Sequence, residues 1–364
     1  DWCRPDKQPD LIEVTLSEKI GHNERIKLNL TYRVKIPSYK FTKYGYTNEE
    51  GFNLKNWFLT PARLEGNVFC RNSNYNLDDI TNATSDYYIT FKTPKNQKLV
   101  TDLSIISAET KGKHTIYILE GKDRTDFTIY AEKNISFSRY KNEIADVYCN
   151  LKENRLDDIQ KAVIINKIIK FTEENIGSVN HSTIIVSQTD YERNPFYGLN
   201  QLPAFISPFP DQFLYEIIFL KTYINNYLKS NLKLNARNDN WIYDAIQMHC
   251  LMKYIDDFYP EIKMMGNISK LKILKGFNLF NLDFNEQYSY YYLLMARKNL
   301  DQPIGNPKNE LLKFNEQIAG KYRAGLSLKY LDDYCGDNLT ARSILSFIAL
   351  NQKQQTSAKD FENI

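Results

Sequence analysis

The stretch Phe213-Leu-Tyr-Glu-Ile-Ile-Phe-Leu-Lys-Thr-Tyr223 determines the class of fold that this sequence can adopt. Its apolar residues recur every three to four positions as far as Leu228, which predicts a long amphipathic helix. Asp211 stands directly after Pro210 and suits the N-cap of that helix, because its carboxylate can accept from free backbone amides. The predicted buried face carries Phe213, Ile217, Leu220, Ile224 and Leu228.

The remainder of the C-terminal part has the same helical period. Ile159 to Phe171 predicts a helix that stops at Gly177, and Trp241 to Phe258 predicts another. Ser182 to Gln188 predicts a short strand, and the prolines from Pro195 to Pro210 predict a shaped loop. Further helices are predicted at Tyr288 to Lys298, Lys308 to Tyr322, Leu326 to Tyr334 and Thr340 to Asn351, and Ser357 to Ile364 predicts the first turn of one more.

The N-terminal part has a different pattern, with short runs of β-branched and aromatic residues separated by turn signals such as Glu120 to Asp123. The predicted strands are Leu28 to Ile36, Tyr87 to Lys92, His114 to Leu119 and Phe127 to Ala131. We therefore predict an α+β protein, with an antiparallel β domain over residues 1–145 and a mostly α-helical domain over 146–364.

Composition limits the classes of function. The chain has 364 residues and a net charge of +3, with its basic residues scattered, which favours neither nucleic acid nor an anionic membrane as a partner. No apolar run reaches the length of a membrane helix. The start at Asp1 without a methionine is what a processed, exported chain would have, and we expect the natural protein to continue beyond Ile364.

Cysteines and histidines give no recognisable metal motif. Cys3, Cys70, Cys149, Cys250 and Cys335 show no CxxC spacing; five buried thiols are favoured over a disulfide between the two N-terminal ones. His22, His114, His181 and His249 lack a second ligand at a useful spacing, so we expect no cofactor. No nucleophile elbow, P-loop or dinucleotide motif occurs either.

The order of elements nevertheless resembles the zinc aminopeptidases of the M1 family. As in that family, a β-rich region is followed by a strand, a proline-rich loop, a long helix and a second helix that opens with Trp241. In M1 enzymes the long helix carries His-Glu-x-x-His and the second helix Trp-Leu-x-Glu-Gly. The histidines and the second glutamate bind zinc, and the first glutamate activates a water. The resemblance implies a thermolysin-like helical domain.

Matched to that pattern from Phe213, the metal motif is degenerate. The ligand histidines fall on Tyr215 and Phe219, the general base on Glu216, and the third ligand on Asp244. The gap from Phe219 to Asp244 is longer than the family's spacing of about eighteen residues. Asn238 stands at that spacing instead, and it is no better a ligand.

Two other sites follow from the resemblance. Tyr288 matches the tyrosine that stabilises the transition-state oxyanion, and the loop before the metal helix matches the amine-binding Gly-x-Met-Glu-Asn motif only in part. The possible peptide cleft therefore involves Tyr197, Gly198, Asn200 and Gln201. For Glu216, a carboxylate that is paired with a nearby Lys or Arg or faces solvent is favoured over a surviving base, and for the aromatic residues core filling is favoured over a site.

These observations predict a pseudopeptidase. We expect a catalytically inactive, exported protein with protein partners, which binds peptides or serves as a scaffold in a cell-envelope complex for outer-membrane biogenesis or secretion. The segments Met252 to Pro260, Asp283 to Ser289 and Leu293 to Arg297 resemble those of M1-like proteins of Bacteroidota, and this resemblance implies a place on the periplasmic or cell-surface side of the outer membrane. Two alternatives remain open: an active zinc aminopeptidase with the unusual ligands Glu216, Asp244 and Tyr215, and a cell-wall carbohydrate-binding module.

Overall fold

A computed structural model describes residues 1–8, 10–47, 51–71, 80–153, 155–178, 183–199, 207–270, 276–336 and 338–364. The chain divides into two compact units. The first comprises residues 1–99 and 104–133, and the second comprises 100–103 and 134–364. The second unit thus begins before the boundary predicted at residues 145 and 146.

The N-terminal part is built from strands and one short helix, α1 (Tyr39–Thr42). The strands are β1 (Trp2–Cys3), β2 (Glu13–Val14), β3 (Gly45–Tyr46), β4 (Phe52–Lys55), β5 (Leu64–Glu65), β6 (Val68–Phe69), β7 (Ser85–Pro94), β8 (Lys98–Thr101), β9 (Ser104–Lys111), β10 (His114–Arg124) and β11 (Thr128–Glu132). Strands β7, β10 and β9 form an antiparallel sheet in that order. Strands β7, β10 and β11 confirm the strands predicted from Tyr87, His114 and Phe127.

Two N-terminal predictions are wrong. Glu120 to Asp123 is no turn: β10 continues through it to Arg124, and the register against β7 shifts between Gly121 and Arg124. A β-bulge accommodates the glycine and the polar residues without ending the strand. Leu28 to Ile36 forms no strand, and Leu28, Leu30 and Tyr32 are about half exposed. Its alternating pattern suits a half-buried strand, but no described strand lies beside it.

The second unit combines a small sheet with helices. The sheet consists of β12 (Ser138–Lys141), β13 (Asp146–Cys149) and β14 (Thr183–Val186). Strand β13 lies in the middle and pairs antiparallel with β12 and parallel with β14. The helices are α2 (Asp158–Ile176), α3 (Gln188–Arg193), α4 (Asp211–Asn231), α5 (Asn240–Phe258), α6 (Gln287–Ala296), α7 (Gly320–Cys335), α8 (Leu339–Lys353) and α9 (Ala358–Glu362). Short 3-10 helices lie at Gly266–Lys270, Asn278–Phe280, Phe284–Glu286 and Lys308–Glu310. None of these helices is long and apolar enough to cross a membrane.

The helices α4 and α5 form the centre of this unit. All five residues predicted for the buried face of α4 have less than 2% of their surface exposed, because they pack in one continuous core with α2 and the small sheet. The N-cap of α4 is Pro210 and not Asp211. Asp211 is the first helical residue, and its carboxylate pairs with Arg155 instead of with a backbone amide.

The helix predicted over Lys308 to Tyr322 is interrupted. A 3-10 turn ends at Glu310, a π-helical turn spans Asn315–Ala319, and α7 then starts at Gly320 and includes the segment predicted separately from Leu326. The side chain of Gln302 explains the break. It donates to the carbonyl oxygen of Glu310 and accepts from the amide of Leu312, the backbone groups that a continuous helix would use.

Candidate functional site

Glu216 is fully buried on α4 and is held by three neighbours. Its Oε2 lies 2.6 Å from Nζ of Lys167 on α2 and also accepts from the hydroxyl of Tyr254 on α5. Its Oε1 accepts at 2.8 Å from Nε2 of Gln212, one turn earlier on α4. Each oxygen thus has a donor, as a buried carboxylate requires.

Aromatic rings enclose the cation that pairs with Glu216. Nζ of Lys167 lies 5.2, 4.9 and 5.6 Å from the ring centroids of Tyr254, Phe258 and Tyr259. Burial, followed by the negative charge of Glu216, raises the pKa of Tyr254 and of Tyr259 above the ordinary value. These contacts bind Glu216 into a structural ion pair that joins α2, α4 and α5, and they occupy the oxygens that a general base would offer to water.

Tyr215 and Phe219 point to another side of α4. The hydroxyl of Tyr215 lies 3.7 Å from Sγ of Cys149 on β13, and the ring of Phe219 follows it along the helix at 6.2 Å between centroids. Phe219 in turn stacks on Tyr223 at 5.6 Å. Burial comes first among the causes that raise the pKa of Tyr215. Tyr215 thus packs between α4 and the small sheet, and Phe219 and Tyr223 continue a row of buried aromatic rings along α4.

Asp244 belongs to a separate cluster of charged and polar residues. We call it the Lys221 cluster, and it comprises Asn194, Lys221, Asp244 and Lys321. The Asp244 carboxylate lies 3.2 Å from Nζ of Lys321 on α7 and accepts at 2.7 Å from Asn240. Lys321 also reaches Oδ1 of Asn194 at 3.4 Å. The backbone oxygen of Asn194 accepts at 2.6 Å from Nζ of Lys221 on α4.

Of the two lysines in the Lys221 cluster, Lys321 forms the ion pair with Asp244, whereas Lys221 donates to the backbone oxygen of Asn194. Burial and the nearby charge of Lys321 hold the pKa of Lys221 well below its ordinary value, while Asp244 acts in the opposite direction. Asp244 and Lys321 also line a small pocket with Asn240 and Trp241. The cluster is thus accessible at one side, whereas Lys221 itself is buried.

The structure does not bring Tyr215, Phe219 and Asp244 to one site. At 100° per residue, Lys221 projects from α4 about 120° away from Tyr215 and about 160° away from Phe219. Asp244 faces the Lys221 side, whereas Tyr215 faces the sheet. Glu216 and Asp244 also meet different parts of α5, because Tyr254, which binds Glu216, lies ten residues beyond Asp244, or about 15 Å along the helix axis.

A feature of the sequence could have located the Lys221 cluster. Residues 226–243 separate Asn225 from Asp244, which is the family's spacing of about eighteen residues between the second histidine and the last glutamate. Lys221 and Asn225 are four apart, as the two histidines are, and Thr222 takes the place of the general base. This alignment keeps Trp241 three residues before Asp244, as the family motif requires. The alignment that starts at Tyr215 does not fit the spacing.

Tyr288 is fully buried, and the described residues place no hydrogen-bond partner at its hydroxyl. Its ring lies 4.9 Å from that of Tyr322 and 6.3 Å from that of Phe196. Burial raises its pKa well above the ordinary value. Tyr288 is therefore set among aromatic residues, and the described structure gives it no contact with Glu216.

The predicted peptide cleft is described only in part. Tyr197 is 42% exposed, and its ring meets those of Tyr291 and Phe314 edge to face. Gly198 has a φ of +94°, which favours glycine at this turn. The other two predicted positions, Asn200 and Gln201, lie outside the described residues, as does His181.

The described residues do not fit a zinc ion. No group of three or more His, Cys, Asp or Glu side chains is close enough among them to hold a metal. A buried histidine does occur on α5, His249, and burial lowers its pKa, but it belongs to no group of three candidate ligands among the described residues. Lysine, asparagine and aspartate around α4 and α5 are not a zinc-binding set.

Comparison with known proteins establishes the fold. No family model and no curated protein sequence matches the chain. The M1 zinc metallopeptidase of Deinococcus radiodurans superposes with a TM-score of 0.53 at 10% identity, covering 90% of this chain and 68% of that one. A mutant of that enzyme gives 0.52 at 10% identity, covering 87% and 67%. Yeast LTA4 hydrolase gives 0.47 at 12% identity, covering 77% and 43%. The chain has an M1-peptidase-like α+β fold, as predicted.

Proposed function

We propose that this protein is a non-catalytic relative of the M1 peptidases that acts by binding other proteins or peptides. The observation that carries the proposal is the Lys221 cluster. On the alignment that satisfies the family's spacing, Lys221, Asn225 and Asp244 occupy the three ligand positions, and Thr222 replaces the base. The ammonium group of Lys321 pairs with the remaining carboxylate.

Simple electrostatics makes this arrangement unsuitable for zinc. A divalent cation would have to displace an ammonium group already paired with Asp244, in a region where a second lysine is buried. It would then find neither imidazole nor thiolate as a ligand. Without a metal to lower the pKa of a water, and with Glu216 bound to Lys167, amide hydrolysis lacks both nucleophile and base.

The proposal extends to a place in the cell. We propose an exported protein in a cell-envelope complex for outer-membrane biogenesis or secretion, on the periplasmic or cell-surface side of the outer membrane. The support is the sequence resemblance to M1-like proteins of Bacteroidota. Purification of the native protein from its own cells in mild detergent, followed by mass spectrometry of what accompanies it, tests this part. Recovery as a free monomer from the cytosolic fraction would contradict it.

Metal analysis tests the absence of catalysis. Purified protein, incubated with zinc and desalted, is expected to retain far less than one zinc per chain and to leave a panel of aminoacyl and peptide substrates uncleaved. Stoichiometric zinc, together with hydrolysis that a chelator abolishes, would establish the rival interpretation, an active metallopeptidase with unusual ligands.

A pair of designed variants tests which residues occupy the ligand positions. The first carries Lys221→His, Thr222→Glu, Asn225→His, Asp244→Glu and Lys321→Met, and the matched control carries Tyr215→His and Phe219→His beside the native Glu216. We expect zinc uptake by the first variant only, because its ligands share one face and its competing ammonium is gone. Zinc uptake by the control alone would assign the ligand positions to Tyr215 and Phe219. Circular dichroism verifies that both variants fold.

A further inference from the structure

We propose that Cys3 and Cys70 are a redox pair, which closes into a disulfide and fastens the N-terminal hairpin to the chain after β6. Both cysteines belong to the first unit, and both are free thiols in the structure. This inference is independent of the peptidase question. It rests on how the hairpin of β1 and β2 is docked.

The pairing register of the hairpin orients Cys3. Strand β1 pairs with β2 antiparallel, with Cys3 directly opposite Glu13. Residues directly opposite one another in such a pair have their side chains on the same face. The thiol of Cys3 therefore projects from the same face as the carboxylate of Glu13.

Arg71, the residue after Cys70, contacts that face of the hairpin. Nη1 of Arg71 lies 2.5 Å from Oε1 of Glu13. The loop of the hairpin makes a second contact, since Nε2 of Gln8 donates to the backbone oxygen of Arg71 at 2.6 Å. Cys70 itself is held by its amide, which donates to the oxygen of Arg63 at 2.8 Å. Two contacts thus place Cys3 beside the segment that carries Cys70.

The five cysteines differ in how accessible they are to a dissolved oxidant. Cys149 and Cys250 are buried in the core of the second unit, where a dissolved oxidant cannot reach them. Cys3 is exposed, Cys70 is half-buried, and Cys335 is exposed on α7 of the second unit. Cys335 therefore serves as an internal control for an exposed thiol without a docked partner.

The chemistry needs one oxidant, a small disulfide such as glutathione disulfide. The thiolate of Cys3 attacks one sulfur of the oxidant, forms a mixed disulfide and releases one glutathione thiolate. The thiolate of Cys70 then attacks the Cys3 sulfur and releases the second glutathione. Two electrons pass from the protein thiols to glutathione, and their two protons end on the two glutathione thiols. Cys3 reacts first, because burial, and then the charge of Glu65, raise the pKa of Cys70.

Peptide mapping without reductant tests the pair. The full-length protein is equilibrated with glutathione disulfide, alkylated and digested with trypsin. We expect residues 1–7 and 64–71 to be recovered as one disulfide-linked species, about 2 Da lighter than the sum of the two reduced peptides. The Cys335 peptide, residues 330–342, is expected as the glutathione adduct or the alkylated thiol.

Two variants, one of the docking contacts and one of Cys70, show whether docking or mere exposure directs the reaction. In Glu13→Ala/Gln8→Ala, which removes both contacts to Arg71, closure is expected to slow at least severalfold, while glutathionylation of Cys335 keeps its rate. In Cys70→Ser, Cys3 is expected to remain a mixed disulfide with glutathione. Recovery of Cys3 and Cys70 as separate species in the unaltered protein, or linkage of Cys3 to Cys335, would overturn the proposal.

Discussion

At the scale of single residues, Glu216 shows how a position that resembles a catalytic base becomes a structural one. Its two oxygens bind Lys167, Gln212 and Tyr254, so the charge is fully compensated inside the protein. Removing one partner of such a pair leaves an uncompensated group behind, which costs more than the pair contributes. The identity of the residue alone does not distinguish the two roles.

Glu216→Gln is therefore expected to lower the free energy of unfolding by about 2 kcal/mol. The amide keeps the shape of the side chain but loses the ion pair with Lys167. The loss of stability is moderate, because the Lys167 side chain is partly exposed to water. Urea denaturation at neutral pH measures it. Glu174→Gln, an exposed position on α2, is the control and should stay within about 0.5 kcal/mol of the parent protein. Equal midpoints for the two variants would contradict the structural role of Glu216.

The sequence predicts some of this site and misses the remainder. Periodicity alone correctly places Tyr215, Glu216 and Phe219 on one buried helix. It cannot find Lys167 as the partner of Glu216, because that contact joins two helices that are distant in the chain. Helical periodicity likewise cannot choose between the alignments that start at Tyr215 and at Lys221, since both fit a helix. The spacing of about eighteen residues to Asp244 favours the alignment from Lys221, and the packing places Asp244 on the Lys221 side of α4.

At the scale of elements, the close approach of α7 to α5 depends on Gly325. A Cβ atom added to this glycine would lie 2.4 Å from Cβ of Met248 and 3.3 Å from the backbone nitrogen of His249. The two helices therefore pack with almost no space at their crossing. The hydrophobic period of α7 predicts a helix here, but it contains no information on how near the neighbour lies.

We expect Gly325→Ala to destabilise the protein by about 1–3 kcal/mol, because the helices must separate or shift. In a helix interior with free space, the same change would stabilise by about 1 kcal/mol, so the sign of the effect is diagnostic. The control is Gly305→Ala, where an added Cβ meets nothing within 4 Å. Thermal unfolding of the two variants beside the parent protein measures the difference. A raised melting temperature for Gly325→Ala would contradict the close packing.

At the scale of the whole molecule, the change of period from two to 3.6 residues correctly predicts the fold class. The long helices α4 and α5 are predicted with nearly correct bounds, whereas β10 runs five residues beyond its predicted end at Leu119. Leu28 to Ile36 shows the limit of that reasoning. Alternation states which face of a strand would be buried, but a strand also needs a neighbour with free hydrogen-bonding groups, and no local pattern supplies one.

Because the protein buries many tyrosines, we predict that its stability falls at alkaline pH. The structure raises the pKa of several tyrosines above 10, mainly through burial; they include Tyr215, Tyr223, Tyr227, Tyr254 and Tyr288. In the unfolded chain these groups ionise near pH 10, whereas in the folded protein they stay protonated. The unfolded state then binds fewer protons, so stability is complete below pH 10 and falls as the pH rises further. Lys221, whose pKa is lowered, acts in the opposite direction, but with a single proton.

Above pH 10 each of these tyrosines is expected to lower the free energy of unfolding by about 1.4 kcal/mol per pH unit, until its folded-state pKa is reached. Urea denaturation between pH 8 and about pH 11 measures the slope, and tyrosinate absorbance reports whether ionisation coincides with unfolding. Tyr215→Phe is the matched variant, because among the described residues the hydroxyl that it removes makes only a long contact, with Cys149. It should leave stability at pH 8 nearly unchanged and make the alkaline slope shallower by about one proton. Ionisation of most tyrosines near pH 10 in the folded protein would contradict this account of the core.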